Sequence, residues 1–393
     1  MKIALVHDYL NQMGGAEKIV LLLMELYPEA PIFTSLFEPD RVHPAFSRAD
    51  VRTSFLQRLP FVRNRFRWYL PLFPLAFEYF DLRGYDVVLS TTTAWTKGAL
   101  TAPETCHVAY VNTPMRFGWR TSDYLEAEQI PGWLRPALHA LMHGMRVWDY
   151  ACQARVDRLI GNSQNVAHRI WKFYRRECAV IPPPVSTARF RLGEGPGDGF
   201  VVVSRLRAYK RIDVVIEAFN RLGLPLTIVG EGPDRAALQA SARPNVRFVG
   251  RLDQEALDRE LNRCRALVVP AEEDFGITPL EASACGRPVV AYSRGGALET
   301  VIPANGYPPH VANAAELTER LGAPTGIFFH EQTPEALVAA VQALDRHTFD
   351  PARLRSHAET FDDHVFKSRI KSFVESAFRE HQDRFCTLRF EKM

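Results

Sequence analysis

Apolar positions along the chain fall into short runs, and between the runs they recur at helical spacing. From the N-terminus, KIALVHD, APIFTSL, YDVVLSTT, HVAYVN, RLIGNS and CAVI predict strands. Helical periodicity lies among them in GAEKIVLLLMELY from Gly15, in a long segment near 134–153 and in QNVAHRIWKFY. After PPPV (182–185) the rhythm restarts. FVVVSRL, PLTIVG, NVRFVG, ALVVP, PVVAY and TGIFF read as strands, and IDVVIEAFNRL, GPDRAALQASA, LDQEALDRELNRC, TPLEASAC and TPEALVAAVQAL as helices. Strands apolar on both faces, separated by amphipathic helices, signify parallel sheets covered on both sides. Three successive prolines suit neither a helix interior nor a central strand, so PPPV marks a boundary. The expected architecture is α/β, with two Rossmann-like doubly wound domains, 1–183 and 184–365, facing a central cleft. An amphipathic helix over about 366–393 is expected to pack back on the first domain. In such sheets ligands gather at the carboxyl ends of the strands.

Composition narrows the class. At 393 residues the chain exceeds one ordinary core. Apolar residues at 47% and charged residues at 24% describe a globular protein, and a net charge of +3 gives no argument for nucleic acid. Six cysteines are scattered without a CxxC pair or metal-ligand spacing, which suits reduced, buried thiols. The first apolar run breaks at His7-Asp8 with no cleavage site after it, and no apolar stretch nears the roughly 20 residues of a membrane helix. A cytoplasmic location is expected.

Several strand ends carry candidate chemistry. EEDFGITPLEASACGRPVV (272–290) follows ALVVP and sets Glu273 and Glu281 on either side of Phe275, Gly276 and Ile277. Thr278, Pro279 and Glu281 have the spacing of a capping box with an N1 proline, which alone would account for Glu281. It leaves Glu273 and the Phe-Gly-Ile loop unexplained. A glycine there admits a ligand to the backbone, amides at a helix start favour phosphate, and carboxylates suit sugar hydroxyls. In SRLRAYKRID (204–213), Arg205 and Lys210 flank a strand-to-helix turn and can neutralise a diphosphate; any one of these cations can equally be a surface charge. Gly14-Gly15 opens a helix, as a close approach for phosphate or as a plain tight turn, and lacks the full GxGxxG of a dinucleotide fold. Asn112, Thr113 and Arg116 follow HVAYV and point to the cleft or form turn chemistry.

Residues 51–77 hold five arginines, seven aromatics and no acid. Arg63, Arg65, Arg67 and Trp68 are candidates for contact with an anionic membrane or an acceptor, against a helix pair with its arginines on the wet face. No Asp-x-Asp, HExxH, GxSxG or Walker A sequence is present, so a bound diphosphate would be held by cations and amides without a metal.

Together these motifs resemble glycosyltransferase family 4, retaining enzymes of the GT-B fold, over nearly the whole chain. The E-x7-E of EDFGITPLE and its continuation EASACGRPVVAYSRGG carry most of the likeness, with SRLRAYK, IVGEGPD and NVRFVGRL. VHDY, GGAE, YDVVLSTTTAWTKG and NTPMRFGW are similar to a bacterial subgroup of mannosyltransferase-like enzymes that build surface polysaccharides. The resemblance implies that Glu273 holds the transferred sugar, Glu281 the ribose, and Arg205 and Lys210 the diphosphate, with amides of Gly276 and Ile277. It places the base near Val249, Gly250 and Arg251, and Gly14 and Gly15 beside phosphate and sugar. Implied substrates are a nucleotide-sugar, with GDP-mannose favoured, and a lipid-linked or oligosaccharide acceptor at the inner face of the cytoplasmic membrane. No cofactor or metal is implied. One position departs: where the subgroup has His-Thr-Pro-Met-Arg, this chain has Asn112, which donates a hydrogen bond but takes up no proton near neutral pH. A sugar-nucleotide epimerase or hydrolase, or a degenerate binding subunit, are the alternatives.

Overall fold

The computed structural model describes residues 1–121, 131–311, 314, 317 and 322–390. Residues 391–393 of the expected last helix, and the side chain of Cys386, lie outside the described residues. The chain divides into two compact units, Met1–Pro182 with the segment from Phe366, and Pro183–Val365.

The first unit is a seven-stranded parallel sheet. Its strands are β1 (Ile3–His7), β2 (Ile32–Thr34), β3 (Val51–Thr53), β4 (Val87–Thr92), β5 (Cys106–Val111), β6 (Arg158–Gly161) and β7 (Ala179–Val180), in the order β3-β2-β1-β4-β5-β6-β7. Alternation along β1 explains its unbroken apolar run. Ile3 and Leu5 face a core with Ile19, Val20 and Leu23 of the helix Gly15–Leu26, while Ala4 and Val6 face another with Phe73, Phe77 and Trp95. The helix Asp363–Phe390 lays Phe366, Ile370, Val374 and Ala377 into the first of these cores. Each larger apolar side chain so buried is worth about 1.5–3 kcal/mol.

The second unit is a six-stranded parallel sheet of β8 (Phe200–Val203), β9 (Leu226–Val229), β10 (Val246–Gly250), β11 (Ala266–Val269), β12 (Val289–Tyr292) and β13 (Gly326–Phe329). Their order is β10-β9-β8-β11-β12-β13. On β8, Phe200 and Val202 pack with Val215 and Phe219 of the helix Ile212–Leu222. Val201 faces the opposite core with Leu280 and Phe328.

Among the described residues, β3 and the helix Pro351–Glu359 are elements that the hydrophobic pattern missed. β3 is three residues long and two of them are exposed, so it has no apolar run; its pairing with β2 makes it a strand. The helix Pro351–Glu359, capped by Asp350, buries only Leu354, His357 and Ala358 and shows little periodicity. Residues 55–78 are a chain of short helical pieces, Phe55–Arg58, Val62–Arg65, Phe66–Leu72 and Phe73–Glu78, instead of a pair of helices.

Candidate active site

In the second unit the strand order reverses between β8 and β11, which sets the loops after these two strands side by side at the carboxyl edge. Arg205 is exposed in the loop after β8. Its neighbours are clamped: Ser204 N donates to Val229 O at 3.0 Å and Leu206 N to Glu231 O at 3.0 Å. The seat for this turn is the Gly-Glu-Gly after β9. A Cβ on Gly230 (φ +137) would lie 1.8 Å from Ser204 O, and one on Gly232 would lie 2.0 Å from Leu206 O. The pattern had marked IVGEGPD as a strand end only, since what needs the glycines is a carbonyl on another loop.

Lys210 ends a short 3-10 turn, Ala208–Lys210, and its Nζ donates to Glu273 Oε1 in an ion pair. Arg211, in the left-handed region at φ 53, turns away to Gln332, which separates it from Lys210. The backbone of Glu273 is fixed from β12's side, where Gly296 N donates to Glu273 O at 2.9 Å. A Cβ on Gly296 would meet Phe275 O at 2.0 Å, and one on Gly295 (φ +62) would meet Glu273 O at 2.3 Å. The Ser-Arg-Gly-Gly after β12 is thus the floor under the Glu273 loop. Phe275 turns its ring into the core, 5.8 Å from that of Phe361, so only its backbone faces the loop's open side.

The capping box is corrected. The helix Ile277–Ala284 begins two residues earlier than the Thr-x-x-Glu spacing requires, with Gly276 (φ 86, ψ 89) in the N-cap position. Thr278 and Pro279 are already inside the first turn. Glu281 is buried one turn in, where Arg189 Nη2 donates to its Oε1 at 3.0 Å. Val249, Gly250 and Arg251 end β10; Gly250 has φ +74 and accepts the Gly230 N–H at 2.8 Å, while Arg251 is exposed.

In the first unit the order reverses between β1 and β4. Gly14 is extended (φ −148) and precedes the helix at Gly15; a Cβ on it would stand 3.0 Å from Glu17 Oε2. Glu17 is buried beside His7, Oε1 to Nε2 at 3.7 Å. Asp8, which belongs to none of the sequence motifs with candidate chemistry, is the hub of this edge. Its carboxylate accepts the backbone N–H groups of Thr93 (2.5 Å), Ala94 (3.0 Å), Trp95 (2.8 Å) and Thr96 (3.1 Å) and the Thr93 hydroxyl (2.7 Å). The clue was an acid directly after a strand, matched by a polar run after β4. Asn112 follows β5, partly buried, its N–H on Thr92 O at 2.8 Å and its own carbonyl held by Asn162 Nδ2 at 2.9 Å. Thr113 is buried and Arg116 is exposed. His107 at the other end of β5 is buried against Ser90 at 2.9 Å; burial, and then Lys97, push its pKa down to about 3.

The remaining candidates stand elsewhere on this unit. Arg63, Arg65, Arg67 and Trp68 are exposed, with the Arg65 guanidinium 4.3 Å from the Trp68 ring centre. No helix among the described residues is long and apolar enough to cross a membrane.

Comparison with known proteins decides the family. The family model described as "Glycosyltransferase Family 4" matches residues 13–189, and that described as "Glycosyl transferases group 1" matches 187–359. The chain belongs to glycosyltransferase family 4. The fold of this glycosyltransferase is GT-B: it is similar to sucrose-phosphate synthase from Thermosynechococcus elongatus (TM-score 0.69, 18% identity, 96% of this chain and 99% of that one). In sequence it is 34% identical over 196 residues to a glycogen synthase of Mycobacterium tuberculosis, covering 45% of this chain and 46% of that one. It is 35% identical over 164 residues to a GDP-mannose-dependent phosphatidylinositol monomannoside mannosyltransferase of Corynebacterium glutamicum, covering 37% and 43%. The matched part spans about half the length, or less, of these curated relatives.

Proposed function

We propose that this glycosyltransferase moves a hexose, with mannose favoured, from a nucleotide-sugar to a glycan or lipid-linked acceptor, with retention and without a divalent metal. One observation carries the reading: the ion pair of Lys210 with Glu273 where the strand order of the second sheet reverses, with Arg205 exposed on the same loop as Lys210. In the proposed reaction the diphosphate takes Arg205 and Lys210 as its counter-ions. Once Lys210 has exchanged Glu273 for the diphosphate on binding, charge growing on the leaving group meets a cation already in contact with it. Glu273, released from Lys210, accepts hydroxyls of the sugar. The amides of Gly276 and Ile277 open the helix toward the same phosphates. The acceptor oxygen bonds to the anomeric carbon on the face from which the diphosphate departs, and its proton leaves on the diphosphate. Asn112 therefore has only to donate a hydrogen bond. The mannosyltransferase relative supports the choice of sugar; the glycogen synthase relative shows that the family match alone does not select it.

The test is a thermal-shift screen of GDP-, UDP- and ADP-sugars with and without Mg2+. GDP-mannose is expected to stabilise the protein most, unchanged by Mg2+, and Lys210→Ala and Glu273→Ala to abolish the shift. A Mg2+ requirement, or a shift that survives both substitutions, overturns the reading. Donor consumed without acceptor points to a hydrolase or epimerase.

A lipid-linked acceptor at an anionic membrane has separate support. Phe61 and Tyr79 are 74% and 75% exposed, and Trp68 and Leu75 are exposed between them, among Arg63, Arg65 and Arg67. Apolar side chains that enter the interface, flanked by cations for anionic headgroups, are what surface binding requires. Arg63, Arg65 and Arg67 changed together to Glu are expected to abolish sedimentation with anionic liposomes; retained binding removes the membrane from the proposal.

A further inference from the structure

The scattered cysteines show no metal-binding spacing in sequence, yet the fold brings one of them into a mixed cluster. The atoms that Cys106, Asp157 and His381 can offer to a metal all lie within 4.8 Å of one another. Cys106 is the first residue of β5, Asp157 immediately precedes β6, and His381 comes from the helix Asp363–Phe390. All three belong to the first unit and stand at the amino ends of its strands, away from the carboxyl edge that carries Asp8 and Asn112.

The surroundings orient each group. His381 Nε2 lies 2.9 Å from Pro103 O, which fixes the N–H on that nitrogen. Nδ1 is thereby turned to Asp157 Oδ1 at 3.5 Å. A nitrogen lone pair facing a carboxylate is repulsive unless a proton or a metal cation lies between them, and a metal would use both groups as ligands. A backbone carbonyl holding the far ring nitrogen is also the usual support of a metal-binding histidine. Asp157 is steadied from behind, its Oδ2 accepting the His107 N–H at 2.7 Å. The nearby Arg158 is balanced by Glu380, at 2.7 Å. A pocket of about 390 Å³, lined by Pro103, Asp157, His381 and Arg384 among others, opens beside the cluster. It gives a route of entry and room for a water as fourth ligand.

We propose that Cys106, Asp157 and His381 form a zinc site that fastens the C-terminal helix to the amino ends of β5 and β6. Thiolate, imidazole and carboxylate are the three ligand types zinc prefers, at about 2.0–2.3 Å from the metal. Ligand atoms of a tetrahedral zinc site stand roughly 3.3–3.6 Å apart; here all three lie within 4.8 Å of one another, with Nδ1 and Oδ1 already at 3.5 Å. Binding releases the Cys106 thiol proton to solvent. Thiolate, carboxylate, neutral imidazole and dication then sum to zero charge, which suits a half-buried place.

The experiment uses the full chain, stripped with chelator and desalted. One equivalent of Co2+ is expected to give a sulfur-to-metal charge-transfer band in the near ultraviolet. Zn2+ is expected to raise Tm by about 5 °C or more, as a ligand in hundred-fold excess over its Kd does, and Mg2+ is expected to leave it unchanged. Cys106→Ser should remove the band. His381→Gln, at a partly exposed position, should keep the circular dichroism of the parent and lose the Zn2+ shift. No band in the parent, a band that survives Cys106→Ser, or a Zn2+ shift that survives His381→Gln overturns the site and leaves a His381–Asp157 ion pair.

Discussion

Lys210 and Glu273 reach across the reversal in strand order and join the loops after β8 and β11 through an ion pair. With a third of the Glu273 side chain exposed, the pair itself is worth about 1 kcal/mol or less. It is weak enough to be exchanged for a ligand, the ammonium to phosphate and the carboxylate to hydroxyls. Lys210→Ala is expected to lower kcat/KM for the donor by about a hundred-fold or more, the size of losing one fixed charge-stabilising donor. Because the two groups hold each other, the double variant with Glu273→Ala should lose less than the product of the single losses. Multiplicative losses in initial-rate assays would show that the pair does not act as a unit.

Gly296 tests the floor of the Glu273 loop without touching a charge. A methyl group there would stand 2.0 Å from Phe275 O, and that is backbone, which cannot swing aside. Gly296→Ala is expected to push the 273–276 loop away from β12 and weaken nucleotide-sugar binding at least ten-fold. Circular dichroism should be retained. Calorimetry that finds parental affinity in Gly296→Ala refutes this account of the loop.

Beneath the loop that Asp8 holds, Lys97 and Asp149 are both fully buried, Nζ 3.1 Å from Oδ1. Burial alone would pull Lys97 down, but Asp149, with Cys152 and Asp8, reverses this and holds its pKa above the ordinary lysine value. Asp149 also accepts Trp119 Nε1 at 2.7 Å and Tyr174 OH at 2.8 Å. Lys97→Met strands a buried carboxylate and is expected to cost about 3–5 kcal/mol, read from urea unfolding. Adding Asp149→Leu should restore part of the loss. A double variant weaker than the single one by a further full increment contradicts the pairing.

His357 supplies a pH dependence of defined sign. Its Nε2 lies 3.0 Å from Thr300 O in the second unit, and burial lowers its pKa below the ordinary histidine value. Below about pH 6.5 the unfolded chain takes up a proton that the folded chain refuses. This contribution is therefore present above pH 6.5 and is lost as pH falls toward the folded pKa. The urea midpoint should drop between pH 7.5 and pH 5.5, and His357→Asn should flatten the drop. Parallel curves for the two proteins would exclude His357 as the source.

Much of the architecture could be read from the sequence, because the strands are buried on both faces and the helices on one. The segments IDVVIEAFNRL and QNVAHRIWKFY coincide with the helices Ile212–Leu222 and Gln164–Tyr174. β3 could not be read, since edge pairing leaves no apolar trace in three residues. Among the candidate residues, Lys210 and Glu273 meet as their strand-end positions implied. What stayed hidden depends on partners distant in sequence. Gly230, Gly232 and Gly296 are required by carbonyls of other loops, Asp8 by four amides more than eighty residues away, and Glu281 is engaged by Arg189. The capping-box spacing was a local coincidence, displaced by the positive φ of Gly276.

The helix Asp363–Phe390 completes a core whose other walls are made before Pro182. During synthesis the first sheet therefore leaves the ribosome with Tyr110, Ile160 and Ile181 uncovered on one flank. At about 5–20 residues per second, the interval before Phe366 and Ile370 emerge is roughly 10–40 s. Throughout that wait the nascent unit presents an apolar groove shaped for an amphipathic helix, transiently exposed surface of the kind that favours aggregation until the helix arrives.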